Sequence, residues 1–390
     1  MSFIFLRGLH FYILFMLDFK SINFQDIASS VKDIIPVKNQ LLNKIMIFLS
    51  EISWNDYKDL FKNKNQSKVQ LISDICEVNQ IKDIDKYYTI IATDGSQINP
   101  DRHQNHLCFL INIGIAKFSY NKHSSAQIFN HTPLIFSKPE ELYVEVGGKL
   151  FLAPTWYVDA KRDSMEFSSL QMELEKTSPS EGNLIGLIDG NIMRYHVQKV
   201  LGRKEEVNKA LIPLLEFSEM KKIPIAGFIS RTRANDTINL INWIAENLRG
   251  KPILDISETS LLSDQDLFSL IMHESPPFSI SSVFLSNQKI SDEYNGKIAF
   301  FYMNTGKEIV RIETAGWCVN NCIEFIARCI KDQIIKGLGY PISLLEAHNQ
   351  AEISSKEREI FFDQVSGSLA KAGIPVSISA KYYSKRVRFA

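Results

Sequence analysis

Residues 87–98 read Tyr-Tyr-Thr-Ile-Ile-Ala-Thr-Asp-Gly-Ser-Gln-Ile, an apolar, β-branched run that meets Asp94-Gly95-Ser96. Such a run predicts a buried strand, and the Asp-Gly pair predicts that it ends in a turn. A second run of the same kind, residues 183–192, meets Asp189-Gly190-Asn191. Around the first strand, residues 106–120 predict a second strand and the stretch near Ala126–Phe136 a third. Residues 160–176 carry a helical pattern, residues 195–222 another, and Ile223–Arg231 reads as a further strand. Residues 235–248 form an amphipathic helical pattern, strands follow within 282–313, and helices are expected over 318–337 and on to about 373. The closing residues predict a strand and a basic tail. Strands at hairpin spacing that later alternate with helices predict an α/β fold, a mixed sheet with helices on its faces. Ahead of it, residues 24–85 read as helical, with Ile27, Val31, Ile34 and Ile35, then Leu41, Leu42, Ile45 and Ile47, at helical spacing.

The 390 residues are 45% hydrophobic and 23% charged, an ordinary globular balance. Forty-four Lys plus Arg balance 44 Asp plus Glu, so the chain as a whole carries no electrostatic footprint for nucleic acid. Any nucleic-acid surface must be local. The five cysteines form no CxxC pair, which argues against a disulfide framework and a zinc knuckle and suits a reducing cytoplasm. Cys318, Cys322 and Cys329 recur at helical spacing and read as small core residues. Residues 1–15 are strongly apolar but interrupted by Arg7 and His10, short for a membrane span and without a clear cleavage site. A start at Met16 is the favoured reading of that segment, ahead of a signal peptide or an anchor.

Chemistry enters with the carboxylates. Strand ends in a mixed α/β sheet are where reacting groups gather. If the two strands are neighbours, Asp94 and Asp189 project into one site, and convergent carboxylates call for a hard divalent cation. Phosphodiester cleavage uses that arrangement. The competing reading is that each Asp-Gly is only a turn. Glu166 offers a third carboxylate on the face of the 160–176 helix that also carries Arg162 and Glu173. There the competing reading is an Arg162–Glu166 pair on a solvated face. His348 stands after an apolar segment and suits a phosphate or metal contact or a proton transfer. His103 and His106 are weaker candidates.

The blocks DGSQINPDRH, KRDSMEFSSL, LIDGNI, IPIAGFISRTR, FFYMNTGKEIVRIETAGW, GYPISLLEAHNQAEIS and YYSKRVR occur in this order. In this the chain resembles the bacterial branch of the NurA-domain nucleases over about residues 85–390. The resemblance implies a ribonuclease H-like mixed sheet flanked by helices. It also implies manganese-dependent cleavage of DNA, with magnesium as the other candidate ion, as a 5′–3′ exonuclease, a single-strand endonuclease, or both. A homodimer working with a HerA-type hexameric ATPase in DNA end processing and repair is implied too. By position, Asp94, Glu166 and Asp189 match the family's metal ligands, with Glu173 as the alternative to Glu166, and His348 matches its active-site histidine. Bacterial members commonly carry serine where this chain has Asn191. Arg231, Lys381, Lys385 and Arg386 then become candidates for DNA phosphates, with Tyr382 and Tyr383 among the terminal cations. The expected organisation is an apolar segment 1–15, a helical region 16–84, and a nuclease unit 85–390. The alternative function is a non-catalytic DNA- or ATPase-binding protein on a degenerate nuclease fold.

Overall fold

The computed structural model describes residues 24–62, 67–100, 107–146, 148–178, 183–193, 203–290, 294 and 296–374. The apolar segment 1–15 and the strand expected after Ile374 lie outside the described residues. Helix α1 (Phe24–Ser50) comes first, followed by strands β1 (Val69–Leu71) and β2 (Val78–Gln80). The expected all-helical reading of 24–85 therefore fails after residue 62. Val69–Leu71 and Val78–Gln80 are too short to show a two-residue period, and they become strands only by pairing with later strands of the sheet. Then come β3 (Tyr88–Ile98), β4 (Phe109–Tyr120), β5 (Ser125–Asn130) and β6 (Leu134–Phe136). The single strand expected near Ala126–Phe136 is two, because Pro133 between them has no N–H to give a ladder. An exposed hairpin, β7 (Tyr143–Val146) and β8 (Lys149–Leu152), leads into α2 (Thr155–Lys176).

Strand β9 (Asn183–Asp189), α3 (Arg203–Lys221) and β10 (Ile225–Ile229) follow, then α4 (Asp236–Arg249) and α5 (Asp264–Ile271). Strands β11 (Ser279–Ser281), β12 (Phe284–Ser286), β13 (Ile298–Asn304) and β14 (Ile309–Ala315) precede α6 (Ile323–Lys336), α7 (Ile342–Ala351) and α8 (Ser355–Lys371). Among the described residues twelve strands form one sheet, whose main path runs β1-β12-β13-β14-β10-β9-β3-β4-β5. The pairs β10–β9 and β9–β3 are parallel, and their neighbours β14 and β4 pair antiparallel to them. The mixed α/β sheet with helices on its faces is thus observed. Five parallel-strand residues of β9 are buried in a row, as expected of a strand covered on both faces.

Side chains alternate faces along β3. Thr93 bonds the Glu166 carbonyl of α2 at 3.2 Å, and the next residue, Asp94, meets His348 of α7. Helices α2 and α7 therefore cover opposite faces of the same strands. Helix α7 approaches unusually closely. Gly114, paired with Asp94 in register, has no side chain, and a Cβ there would meet the Ala347 carbonyl and lie 2.5 Å from the Ala351 nitrogen. The C-terminal carbonyl of α7 is an orphan acceptor that needs a donor. Asn112 Nδ2 supplies one to Ala351 O at 2.9 Å, and Ser96 Oγ supplies another. A second apolar cluster joins α1, α4 and α5 to β12 and β13, through residues such as Ile45, Ile241, Phe268, Phe284 and Tyr302. Strand β13 serves both clusters by its two-residue period: Phe300 and Tyr302 face one, Phe301 and Met303 the other.

Gly114→Ala is expected to lower unfolding stability by about 1–3 kcal/mol, because backbone must move to admit the methyl group. Gly367→Ala, on α8 where a Cβ meets nothing within 4 Å, is expected to raise it by roughly 0.5–1 kcal/mol. Urea unfolding of both variants checks the contrast, and equal effects would mean α7 is not seated on Gly114.

Candidate active site

The three residues Asp94, Gly95 and Ser96 do three different things. The expected turn at Asp94-Gly95 is absent: β3 continues to Ile98 because β4 pairs with it along its whole length. What ends near Asp94 is the pairing with β9, whose last partners are Thr93 and Ile188. Asp94 and Asp189 are the next residue on each strand. Neighbouring strands run about 4.8 Å apart and in-register residues of a parallel pair share a face, so the two carboxylates emerge side by side. They stand at the C-terminal edge of the parallel strands. Asp189, unlike Asp94, does precede a turn, with Gly190 at φ 85.

Helix α7 supplies the other polar groups on that face. His348 Nδ1 lies 2.7 Å from Asp94 Oδ2, and its side chain is 62% exposed, open to solvent. Tyr340, two residues before α7, hydrogen-bonds Asp189. Burial, then the charges of Asp189, Asp94 and Glu308, push the Tyr340 phenol far above its ordinary range, so it stays a neutral donor. Sequence reasoning missed Tyr340. The available signals were an aromatic among turn residues, Gly337, Gly339 and Pro341, eight residues before His348, and its place in the block GYPISLLEAHNQAEIS.

Glu166 is placed differently. It lies on the α2 face, opposite the Asp94 carboxylate, and reaches the strand through the gap left by Gly95. A Cβ on Gly95 would lie 2.8 Å from Glu166 Oε1 and 2.7 Å from Arg162 Cγ. Gly95 thus serves close approach, not a turn. Arg162 Nε sits 3.2 Å from Glu166 Oε1, so the i, i+4 pair forms, but Glu166 is buried and the face is not solvated. Burial opposes the Arg162 charge, but Glu166, Asp163 and Asp159 outweigh it and raise its pKa. Glu173 lies two turns along α2, toward the starts of the strands, paired with Lys176 at 2.8 Å. Among the described residues no three His, Cys, Asp or Glu side chains gather closely enough to hold a metal ion. Two adjacent carboxylates still fit a hard cation, since magnesium-type sites commonly use one or two of them with substrate phosphate.

Arg231 is exposed in the turn after β10, at φ 48, three residues beyond Phe228, the register partner of Asp189. Lys307 is near the same edge, bonded to the Leu338 carbonyl at 2.7 Å. His103, His106, Tyr382, Tyr383, Lys381, Lys385 and Arg386 lie outside the described residues. All five cysteines are free; Cys318 and Cys329 are buried, as core residues should be, and Cys322 is only half-buried.

The NurA domain profile matches residues 88–353, more than half of the chain and both aspartate strands. The chain belongs to the NurA family. Among solved structures it is similar to the NurA nuclease from Sulfolobus solfataricus, at 14% identity and a TM-score of 0.46, over 88% of this chain and 98% of that one. A structure of NurA bound to dAMP and manganese is similar at 11% identity and a TM-score of 0.36, over 81% and 94%. No curated protein matches the chain.

With Tyr340 held neutral, the tyrosinate absorbance that rises between about pH 9 and 11, where ordinary tyrosines titrate, should be the same in the parent and in Tyr340→Phe. A titration step in that window lost on Tyr340→Phe would show that the phenol is not buried against Asp189.

Proposed function

We propose that this NurA-family chain is a metal-dependent deoxyribonuclease. The observation that carries the reading is the side-by-side emergence of Asp94 and Asp189 on the α7 face, with His348 and Tyr340 beside them. These two carboxylates would hold a divalent cation, manganese or magnesium, whose positive charge on a phosphodiester oxygen is the chemistry the ion supplies when bound. Glu166 would be the third ligand, and a two-metal site would need it to leave Arg162 and come round the edge at Gly95. His348, exposed and polarised by Asp94, is suited to hold the scissile phosphate or to move a proton. Tyr340 keeps Asp189 in place with a phenol that does not ionise. The order β5-β4-β3-β9-β10, antiparallel strands and then two parallel to β3, supports the ribonuclease H-like reading.

DNA would approach the C-terminal edge, where Arg231 and Lys307 stand; Lys381, Lys385 and Arg386 are proposed as further phosphate contacts. Cleavage as an exonuclease, an endonuclease or both belongs to this reading, as does a role in end processing and repair with a HerA-type ATPase. The exposed Leu134, Ile135, Tyr143, Leu150 and Phe151 support a homodimer through the β5–β8 end. No helix among the described residues is long and apolar enough to cross a membrane, and the free thiols suit the cytoplasm.

The test is purified protein with labelled single- and double-stranded DNA and RNA, with Mn²⁺, Mg²⁺ or chelator. Cleavage is expected with metal and none with chelator. Asp94→Ala and Asp189→Ala should be inactive, and His348→Ala slower by roughly 10²–10⁴-fold. No metal-dependent cleavage, or full activity in Asp94→Ala, would sink the catalytic reading in favour of a binding protein on a nuclease fold.

A further inference from the structure

Strand β14 is buried along its whole length and yet carries two charges, Arg311 and Glu313, both fully buried. Glu313 Oε2 accepts from the backbone N–H of Ile192 at 2.9 Å and of Met193 at 3.4 Å. Its Oε1 accepts from Asn191 Nδ2 at 3.1 Å and from Arg311 Nε at 3.0 Å. Three of these four donors belong to the turn that follows Asp189. To reach Glu313 that turn must cross β10, which lies between β9 and β14. It crosses at Gly227, the register partner of Glu313 on one side and of Ile188 on the other. A Cβ on Gly227 would lie 2.6 Å from the Gly190 carbonyl and 3.1 Å from Ile192 Cγ1. The Gly190 N–H is tied down as well, to Phe228 O at 2.8 Å.

We propose that Glu313 is the positioning residue for Asp189: its buried carboxylate fastens the turn across β10 and so holds the Asp189 carboxylate on the α7 face for the cation. The inference rests on the metal-site reading of Asp189. Arg311 makes the buried charge tolerable. An unpaired carboxylate would be costly there, whereas one with four donors, a guanidinium among them, is compensated. Arg311 Nη1 also donates to Asp236 at 2.8 Å and to the Tyr302 hydroxyl at 3.2 Å. Asp236 opens α4, so the same guanidinium anchors the far end of the loop that carries Arg231. Asn191 acts here as a donor to Glu313, and a serine in its place would keep a donor.

The test compares Glu313→Gln, Asn191→Ala and Asn191→Ser with Thr314→Val. The last removes a buried hydrogen bond, Thr314 Oγ1 to Ile225 O at 2.8 Å, one residue along the same strand. Two readouts on the full chain are backbone amide exchange of residues 190–193 without metal, and the Mn²⁺ dissociation constant by calorimetry. Glu313→Gln should speed exchange in that segment and raise the Mn²⁺ constant about 10–100-fold, the usual cost of losing a group that orients a ligand. Asn191→Ala should move both readouts the same way by less, Asn191→Ser should stay near the parent, and Thr314→Val should move neither. Unchanged exchange in Glu313→Gln, or the same changes in Thr314→Val, overturns the proposal. If Glu313→Gln does not fold, the two Asn191 variants decide by the same readouts. If the parent binds no Mn²⁺, the metal-site reading has failed, and the exchange measurement still decides whether Glu313 holds the turn.

Discussion

Backbone contact between α7 and Gly114 is the constraint on which the candidate site depends. A helix normally packs on a sheet through a layer of side chains. Here the layer is missing at one point, and the helix backbone rests on the strand. That approach brings the His348 ring to 2.7 Å from Asp94, the residue paired with Gly114. The same helix delivers Tyr340 to Asp189 at its other end. Ser96 and Asn112 hold its C-terminus by the Ala351 carbonyl, so it is fixed at both ends by polar contacts as well as by packing.

Glycine recurs wherever backbone must come close. Gly95 makes room for the Arg162–Glu166 pair on one face of β3, and Gly114 makes room for α7 on the other. Gly227 lets the turn after Asp189 cross over β10 to Glu313. These three positions surround the junction where the parallel pairing of β3 with β9 gives out and the antiparallel pairing with β4 goes on. The junction exposes strand-edge carboxylates without ending the strand that carries Asp94, so Asp94 sits on a rigid element and not on a loop. A rigid mount costs little reorganisation when a charged ligand arrives.

Electrostatics are arranged by burial and pairing, not by net charge. The charges of Arg311 and Glu313 are buried, that of Arg162 is half-buried, and each is compensated by named partners. Two such networks lie behind the site, one on each side of it: Arg162 with Glu166 and Asp163, and Arg311 with Glu313 and Asp236. Each ties a side chain or turn at the carboxylate edge to a covered part of the sheet. The zero formal charge of the whole chain says nothing about either.

Much of this is legible in the sequence. The apolar runs of β3, β9, β10 and β13 predicted buried strands, since burial on both faces leaves an unbroken hydrophobic record. The amphipathic record of α4 and the apolar face of α2 did the same for helices. Asp94, Asp189 and His348 stood out because each polar group interrupts or follows an apolar run. The short strands β1 and β2 were not legible, because three residues carry no period and their identity comes from partners far away in the chain, such as Ser286 for Val69 and Ser279 for Gln80. Nor was the meaning of Asp94-Gly95-Ser96, which reads locally as a turn and is held extended by β4. By itself the sequence determined which segments are buried, which period they follow and where the isolated carboxylates fall, because these depend on neighbours along the chain. Only the tertiary structure decided that Asp94 faces His348 while Glu166 faces Arg162 across the strand. It alone brought Glu313 to the turn after Asp189. Which face a residue takes and which remote donor reaches it are set by strand register and by missing side chains at Gly95, Gly114 and Gly227, and neither is a local property.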